Sequence, residues 1–188
     1  DWLGDTGALD KVMKNGDHAP EFNLKNQNGE IISSYELLKK GPLVVSFYRG
    51  SWCPYCVEEV KALDLFYPEI QANGADLVVL SPQSFSRTEK QAEELHLKYN
   101  LLVDDDNKTG KAFGLVYEFP QYLKDLYMER FNNNIQKINE GSAWELPIPA
   151  RFVIGQDGKI LDVLADPDYR FRPEPYATLT FIKNLAKP

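Results

Sequence analysis

Short unbroken runs of hydrophobic residues recur along the chain, separated by stretches in which hydrophobic and polar positions follow helical spacing. The run Leu43-Val44-Val45-Ser46-Phe47-Tyr48 is rich in β-branched and aromatic residues and ends at the turn-prone Arg49-Gly50-Ser51. A run of this kind predicts a central strand that is buried on both faces of a sheet. Similar runs at residues 76–80 and 101–103 predict a second and a third strand.

Helical spacing fills the segments between these strands. After Pro54, apolar residues recur at Val60, Leu63, Tyr67 and Ile70. Asn73-Gly74 is a helix stop signal, and Pro68 predicts a kink before it. Further helices are predicted at residues 86–99, 120–132 and 174–186, the second of them as an insertion over the core. Strands that alternate with helices are typical of parallel βαβ units.

Turn signals predict two hairpins. Asn28-Gly29 lies in the middle of residues 22–33, and both residues tolerate the positive φ of a tight turn. Gln156-Asp157-Gly158 separates apolar segments at residues 151–154 and 160–164, which predicts antiparallel pairing near the end of the chain. The expected fold class is therefore α/β, with a central mixed sheet flanked by helices, an N-terminal β-hairpin and a helical insertion.

Composition narrows the class of protein. With 188 residues, of which 43% are hydrophobic and 12% aromatic, the chain can fill one good-sized core, so we expect a single domain without disorder. The net charge of −7, without a long basic run, makes nucleic acid an unsuitable partner. No apolar stretch approaches the roughly 20 residues of a membrane span. Two cysteines three positions apart suit a reversible bond in a reducing, cytoplasmic compartment.

The segment Cys53-Pro54-Tyr55-Cys56 carries the chemistry that the sequence predicts. Proline is favoured at the first helical position, so Pro54 places Cys53 at the N-cap. The free amides of Tyr55 and Cys56, together with the helix dipole, then lower the pKa of Cys53 below the usual value of about 8.5. We expect Cys53 to be an accessible thiolate nucleophile. Cys56 lies one turn further along the helix and is expected to be the deeper, resolving thiol.

Other side chains are candidates for supporting roles, and each has a plainer alternative. Arg49 and Arg151 are predicted to stabilise a thiolate or a developing oxyanion, or else to be solvated or paired with carboxylates. Trp52 is predicted to shield the nucleophile, or else to be ordinary packing. Pro149 precedes a strand at a place suited to a cis bond, although a strand-entry proline is the commoner situation.

Two alternatives concern the cysteines themselves. They can be inert packing residues, but a proline-locked pair after a strand argues against that interpretation. They can also be half of a metal site. His18 and His96 are the other soft ligands, and neither has a spacing that completes a four-ligand zinc site. We therefore expect neither a metal nor a cofactor.

Several motifs in order give the chain a family resemblance. They are Gly16-Asp17-His18-Ala19-Pro20-Glu21-Phe22, Trp52-Cys53-Pro54-Tyr55-Cys56, Ser81-Pro82-Gln83, Phe113-Gly114-Leu115-Val116, Trp144-Glu145-Leu146-Pro147, Pro149-Ala150-Arg151-Phe152-Val153-Ile154 and Asp168-Tyr169-Arg170-Phe171-Arg172-Pro173. The chain resembles the peroxiredoxin-like branch of the alkyl hydroperoxide reductase and thiol-specific antioxidant family. The resemblance begins near residue 16. Residues 1–15 are thus expected to be an N-terminal extension, and residues 16–188 one thioredoxin-like domain.

The resemblance implies a peroxidase mechanism. In it, Cys53 attacks a hydroperoxide oxygen and becomes a sulfenic acid, Cys56 resolves it as an intramolecular disulfide, and Pro149 resembles the cis-proline opposite the thiols. Typical members of the family have proline seven residues, and threonine or serine three residues, before the reactive cysteine, where this chain has Ser46 and Gly50. Ser51 is a candidate replacement hydroxyl.

Three functions follow from these observations. The first is a thiol peroxidase that a thioredoxin-, glutaredoxin- or glutathione-type donor regenerates, with a homodimer as one expected assembly. The second is a general thiol–disulfide oxidoreductase, because the Trp-Cys-Pro-Tyr-Cys segment also resembles thioredoxin and glutaredoxin dithiols. The third is a non-enzymatic redox-sensing domain whose disulfide switches a surface.

Overall fold

The computed structural model describes residues 2–141 and 143–186, without the side chains of Trp2 and Asp5. The strands are β1 (Asn23–Lys25), β2 (Ile31–Ser33), β3 (Leu43–Phe47), β4 (Asp76–Ser81), β5 (Asn100–Val103), β6 (Val116–Glu118), β7 (Glu145–Pro147), β8 (Ala150–Ile154) and β9 (Ile160–Ala165). The α-helices are α1 (Trp2–Asp5), α2 (Ser34–Leu38), α3 (Pro54–Ala72), α4 (Phe85–Leu95), α5 (Lys108–Ala112), α6 (Gln121–Glu129), α7 (Ile135–Asn139) and α8 (Pro175–Leu185). Two 3₁₀ turns, Ala8–Lys11 and Asp105–Asn107, complete the helical elements of this part of the chain.

The central sheet has five strands in the order β5-β4-β3-β8-β9. β3 is parallel to β4, and β4 is parallel to β5, as βαβ units require. β8 is antiparallel to both β3 and β9. Every residue of β3 is buried. The predicted α/β class, mixed sheet and central strand are therefore confirmed.

The two faces of the sheet carry separate hydrophobic clusters because successive side chains of a strand point to opposite faces. Leu43, Val45 and Phe47 of β3 lie in one cluster, together with the segment that precedes β1. Val44 lies in the other, which also holds both cysteines and the buried sides of α3 and α8. The segment with the two cysteines thus follows a fully buried strand, β3, and lies in the hydrophobic cluster that α3 and α8 cover.

The hairpin of β1 and β2 is confirmed as a separate two-stranded sheet. The strands pair antiparallel, with Asn23 opposite Ser33. Asn26 closes the turn, because its side-chain oxygen accepts from the amides of Asn28 and Glu30 at 2.9 and 3.0 Å. Gly29 has φ of +80°, a left-handed conformation that glycine adopts at no steric cost.

The predicted insertion is richer than the single helix that the sequence indicated. β6 and β7 pair antiparallel on either side of α6 and α7. Phe119, Tyr127 and Ile135 are buried in a third hydrophobic cluster within it, and Trp52 packs against that cluster. The insertion therefore borders the turn that carries the cysteines.

One further prediction needs adjustment. α4 ends at Leu95, four residues before the predicted position, because His96 takes a left-handed conformation and the amide of Leu97 turns back to the carbonyl of Ala92. α3 continues past Pro68 as one helix to Ala72, and the kink at Pro68 stays a prediction.

Residues near the start of the chain pack on the core although they lie outside the region of family resemblance. Leu3 and Val12 are buried in the first cluster. The division into an extension at residues 1–15 and a domain at 16–188 stays a prediction, and its outer limits, residues 1 and 188, lie outside the described residues.

Candidate active site

The six residues between β3 and α3, 48–53, form the turn that sets Cys53 at the start of the helix. Cys53 is the N-cap residue, with extended φ and ψ of −95° and 112°, and Pro54 is the first helical residue, as predicted. Gly50 has φ of +145°, and a Cβ atom there would lie 2.6 Å from Trp52 Nε1. The Ser51 amide donates to Gln83 Oε1 at 2.8 Å, which ties the turn to the loop after β4.

The two cysteines are free thiols. The pKa of Cys53 is lowered to about 6, chiefly by the hydrogen bond from the Cys56 thiol. Burial opposes this shift, while the charge of Arg49, the Cys56 amide and the charge of Arg172 add to it. Cys53 is therefore the thiol that ionises first, and Cys56 is its hydrogen-bond donor.

Cys56 ionises with more difficulty. Its pKa is raised well above the usual value, first by burial and then by the hydrogen bond and the charge of Cys53. Arg172 and Arg49 act in the opposite direction. Cys56 is completely buried, and burial raises its pKa because desolvation disfavours the charged thiolate.

Two expectations about Cys53 need correction. Its side chain was expected to be accessible, but Cys53 is only 2% exposed because it lies in the hydrophobic cluster with Trp52 packed against that cluster. The helix amides were expected to be the main cause of its low pKa. The Cys56 amide does lower this pKa, but the neighbouring thiol and the charge of Arg49 are larger influences.

Arg49 is the buried cation beside the nucleophile. Its Nη1 lies 4.0 Å from Cys53 Sγ, and Nη2 donates to the hydroxyl of Tyr127. Its guanidinium stacks over the rings of Tyr169 and Trp52, with centroid distances of 4.1 and 4.8 Å. An arginine remains protonated in proteins, so this positive charge is permanent.

The segment between β9 and α8 covers the dithiol. Tyr169 lies on the guanidinium of Arg49 and also contacts Tyr55 edge to face, at 5.8 Å between ring centroids. Arg172 donates to Cys56 Sγ at 3.0 Å. This segment therefore contacts Cys56 directly, through Arg172, and Cys53 indirectly, through the stacking of Tyr169 on Arg49.

A buried ion-pair network lies behind Cys56. Glu59 Oε1 accepts from Arg151 Nη2, and Glu59 Oε2 accepts from Arg172 Nη1, both at 2.7 Å. Arg151 also donates to Thr178 Oγ1 at 3.1 Å. Burial lowers the pKa of Arg151, and Glu59 opposes that shift. Arg151 is thus paired with a carboxylate that also holds Arg172, the residue in contact with Cys56.

The other predicted supporting residues are placed as follows. Pro149 lies between β7 and β8, and the peptide bonds of the described residues are all trans, so the suggested cis bond is wrong. The amide of Ile148 donates to the carbonyl of Leu115, and Ala150 begins β8. Ser51 contributes its backbone amide to the turn through Gln83.

Five site residues escaped the prediction from sequence: Glu59, Gln83, Tyr127, Tyr169 and Arg172. Glu59 carried a usable signal, because it lies three positions after Cys56 and so on the same face of α3. Gln83, Tyr169 and Arg172 fall within motifs of the family resemblance. Tyr127 gave no signal beyond its helical spacing, because its contact with Arg49 joins residues 78 positions apart.

Three further observations describe the surroundings of the site. A cavity of about 370 Å³ lies between the start of α3 and the segment before α8, and its lining includes Pro54, Tyr55, Glu59 and Arg172. Among the described side chains, no group of three or more His, Cys, Asp or Glu is placed to hold a metal ion. None of the described helices is long and apolar enough to cross a membrane.

Comparisons with known proteins agree with this geometry. The model of the AhpC/TSA family matches residues 15–163, which is most of the chain. Peroxiredoxin Q, chloroplastic, from Gentiana triflora is 33% identical over 105 residues, 56% of this chain and 48% of that protein. The putative peroxiredoxin bcp of Helicobacter pylori strain 26695 is 34% identical over 102 residues, 53% of this chain and 66% of that protein. The chain thus spans about half to two thirds of these relatives.

Solved structures show the same fold. Peroxidoxin BcpB from Mycobacterium tuberculosis superposes with a TM-score of 0.74 at 23% identity, over 94% of this chain and 99% of that one. Peroxiredoxin Q from Xanthomonas campestris gives 0.69 at 17% identity, over 88% and 92%. The predicted thioredoxin-like fold is confirmed.

Proposed function

Because this chain belongs to the AhpC/TSA family, we propose that it is a thiol-dependent peroxidase in which Cys53 reduces hydroperoxides and Cys56 resolves the product. The observation that carries the proposal is the state of Cys53, whose pKa is lowered to about 6 beside a second thiol and a buried arginine. Near neutral pH this sulfur is mostly thiolate, the form that attacks an oxygen atom.

The proposed reaction has two steps. In the first, the Cys53 thiolate attacks one oxygen of the hydroperoxide, an S–O bond forms as the O–O bond breaks, and the leaving alkoxide or hydroxide takes up a proton. Cys53 is oxidised to a sulfenic acid. In the second, the sulfur of Cys56 attacks that of Cys53, the S–O bond breaks, and water leaves as the disulfide forms. A dithiol donor then reduces the disulfide.

Arg49 supports the first step by position and charge. Its Nη1 lies 4.0 Å from the attacking sulfur, and its guanidinium is held by Tyr127, Trp52 and Tyr169. The oxygen that leaves develops negative charge, and a fixed cation in a buried site stabilises such charge effectively. We infer that Arg49 serves both the thiolate and the leaving oxygen.

Stopped-flow measurement of peroxide consumption by the reduced protein tests this function. We expect a second-order rate constant well above that of free cysteine at the same pH, and its loss in Cys53→Ser. Cys56→Ser should still consume one equivalent and stop at the sulfenic acid, which a dimedone adduct on Cys53 would reveal. A rate no faster than that of free cysteine would refute the peroxidase function.

A second candidate is a general thiol–disulfide oxidoreductase. The observation in its favour is that Ser46 and Gly50 stand where typical members of the family carry proline and a hydroxyl residue, and no described serine or threonine donates to Cys53. This function requires reduction of a model protein disulfide with loss of activity in Cys53→Ser and little turnover of peroxide. A redox-sensing domain would instead tolerate both single Cys→Ser changes.

The reductant is proposed to be a thioredoxin-, glutaredoxin- or glutathione-type donor, because an intramolecular disulfide is reduced by thiol exchange. A reversible pair of cysteines suits a reducing, cytoplasm-like compartment. The homodimer stays a prediction, and light scattering of the purified chain measures it.

A further inference from the structure

Arg172 holds the sulfur of Cys56 with a charged donor. Its Nη2 lies 3.0 Å from Cys56 Sγ and its Nη1 lies 2.7 Å from Glu59 Oε2. The side chain of Arg172 is 12% exposed, and that of Glu59 is 5% exposed. A guanidinium stays protonated in proteins, so Cys56 has a permanent cationic neighbour from an element remote in sequence.

Glu59 fixes the direction in which Arg172 points. Its second oxygen accepts from Arg151, whose side chain is 1% exposed and also donates to Thr178. One carboxylate between two arginines leaves an excess positive charge at Cys56. Such a buried excess is costly unless an anion forms beside it.

In the reduced protein Cys56 stays protonated despite the positive charge of Arg172 beside it. Cys53 is the thiolate of the pair, and burial, followed by the hydrogen bond and the charge of Cys53, keeps the proton on Cys56. Oxidation to a sulfenic acid, or formation of a mixed disulfide, makes the sulfur of Cys53 neutral. Both influences of Cys53 then disappear. Burial of Cys56 remains, and Arg172 is the cation in direct contact that opposes it.

The other ionisable groups that face Cys56 do not replace Arg172. Burial raises the pKa of Tyr48 and of Tyr117, so both rings are neutral near pH 7. Arg49 lies beside Cys53 and is engaged by Tyr127 and Tyr169. Among the described residues, Arg172 is the cation that donates directly to Cys56.

We propose that Arg172 is a catalytic residue of the second step, in which it holds Cys56 as the thiolate that attacks oxidised Cys53. The electron pair of Cys56 forms the S–S bond, the bond from Cys53 to its leaving group breaks, and the leaving group departs as water after protonation or as a thiolate. The inference deepens the proposed function, but it requires only that Cys53 become an electrophile. Glu59 is then a positioning residue.

A methanethiosulfonate reagent tests the proposal without any peroxide. It leaves a methylthio group on Cys53, and attack by Cys56 releases methanethiol, so acid quenching and mass spectrometry follow both stages separately. In Arg172→Met, closure should slow by about tenfold to a hundredfold, the factor expected for losing a hydrogen bond to a charged group. The pH midpoint of closure should also rise, while labelling of Cys53 stays within about twofold of the original rate.

Arg170→Met is the matched control. Arg170 lies two positions away and is 60% exposed, and its side chain pairs with Asp168 rather than with the dithiol. Its closure should be unchanged. If Arg172→Met fails to fold, Arg172→Lys takes its place, with a smaller loss expected.

Three results would overturn the proposal: closure at the original rate and midpoint, equal slowing of labelling and closure, or equal slowing in Arg170→Met. A chain that ignores peroxide but shows the expected slowing would refute the peroxidase function and leave the role of Arg172 standing.

Discussion

Removal of the charge of Arg49 should raise the pKa of Cys53 by a measurable amount. Nη1 lies 4.0 Å from Sγ, and two unit charges at that distance interact by about 4 kcal/mol at an effective dielectric constant of 20. This is an upper limit of about 3 pKa units at 1.36 kcal/mol each. The Cys56 thiol, which is the larger influence, remains in Arg49→Met. We therefore expect a rise of about 1 to 2 units from the value of about 6.

The pH dependence of alkylation by iodoacetamide measures this shift, because only the thiolate reacts. The original protein should show a midpoint near 6, and the variant one nearer 7 to 8. At pH 7 the thiolate fraction should fall from about nine tenths to half or less. Mass spectrometry confirms that Cys53 carries the label, and Arg49→Lys, which keeps the charge, should shift the midpoint less.

An unchanged midpoint in a folded Arg49→Met would show that the arginine does not set the charge state of the nucleophile. A label on Cys56 in the original protein would be more damaging, since it would mean that the wrong sulfur had been assigned the low pKa. Circular dichroism shows whether the variant is folded, which is necessary because Arg49 also contacts Tyr127 and Trp52 directly.

Three more predictions concern the same network. Cys56→Ser should keep most of the lowered pKa of Cys53, because a hydroxyl can donate, whereas Cys56→Ala should lose it; alkylation midpoints distinguish them. The pKa of Cys53 in the folded protein lies below the unfolded value of about 8.5. The stability that ionised Cys53 contributes is therefore complete above about pH 8.5 and is lost as the pH falls through about 6. Urea midpoints should rise between about pH 6 and 8.5 in the original protein, and this rise should be absent in Cys53→Ser. Glu59→Gln should cost about 3 to 5 kcal/mol in urea unfolding, because two buried arginines lose their carboxylate, whereas the exposed neighbour Glu58→Gln should change stability by less than about 0.5 kcal/mol.

The sheet could be predicted from the sequence because each of its strands is marked by a local pattern. β3, β4 and β5 are apolar runs, and β8 and β9 flank a strong turn signal. β6 and β7 could not be predicted, because each has three residues and they pair across the whole insertion, from Val116 to Pro147. The spacing of hydrophobic residues predicts local structure and does not predict which distant strands pair with each other.

The same limit divides the site. Cys53, Pro54 and Cys56 are adjacent, so one helical turn predicts their relation. Arg172 is 116 positions from Cys56 in sequence, and only the path of the chain after β9 brings it to the sulfur. Arg151 was a candidate on its residue type, but a strand fixes its position, and its direct partners are Glu59 and Thr178 rather than a thiolate.

The departure of this chain from its family has a physical explanation in the turn before Cys53. A hydroxyl residue at position 50 would need a Cβ atom, which the left-handed φ of Gly50 disfavours and which would lie 2.6 Å from the indole nitrogen of Trp52. The chain therefore lacks the usual hydroxyl donor, but the thiol of Cys56 donates to Cys53 and is the largest cause of its low pKa. Cys56 thus activates the nucleophile as a thiol and, in the proposed second step, resolves it as a thiolate. One residue can fill both roles because oxidation of Cys53 removes its charge and hydrogen bond, two of the influences that keep the proton on Cys56. Each role leaves the negative charge on a different sulfur, and each sulfur has its own arginine neighbour.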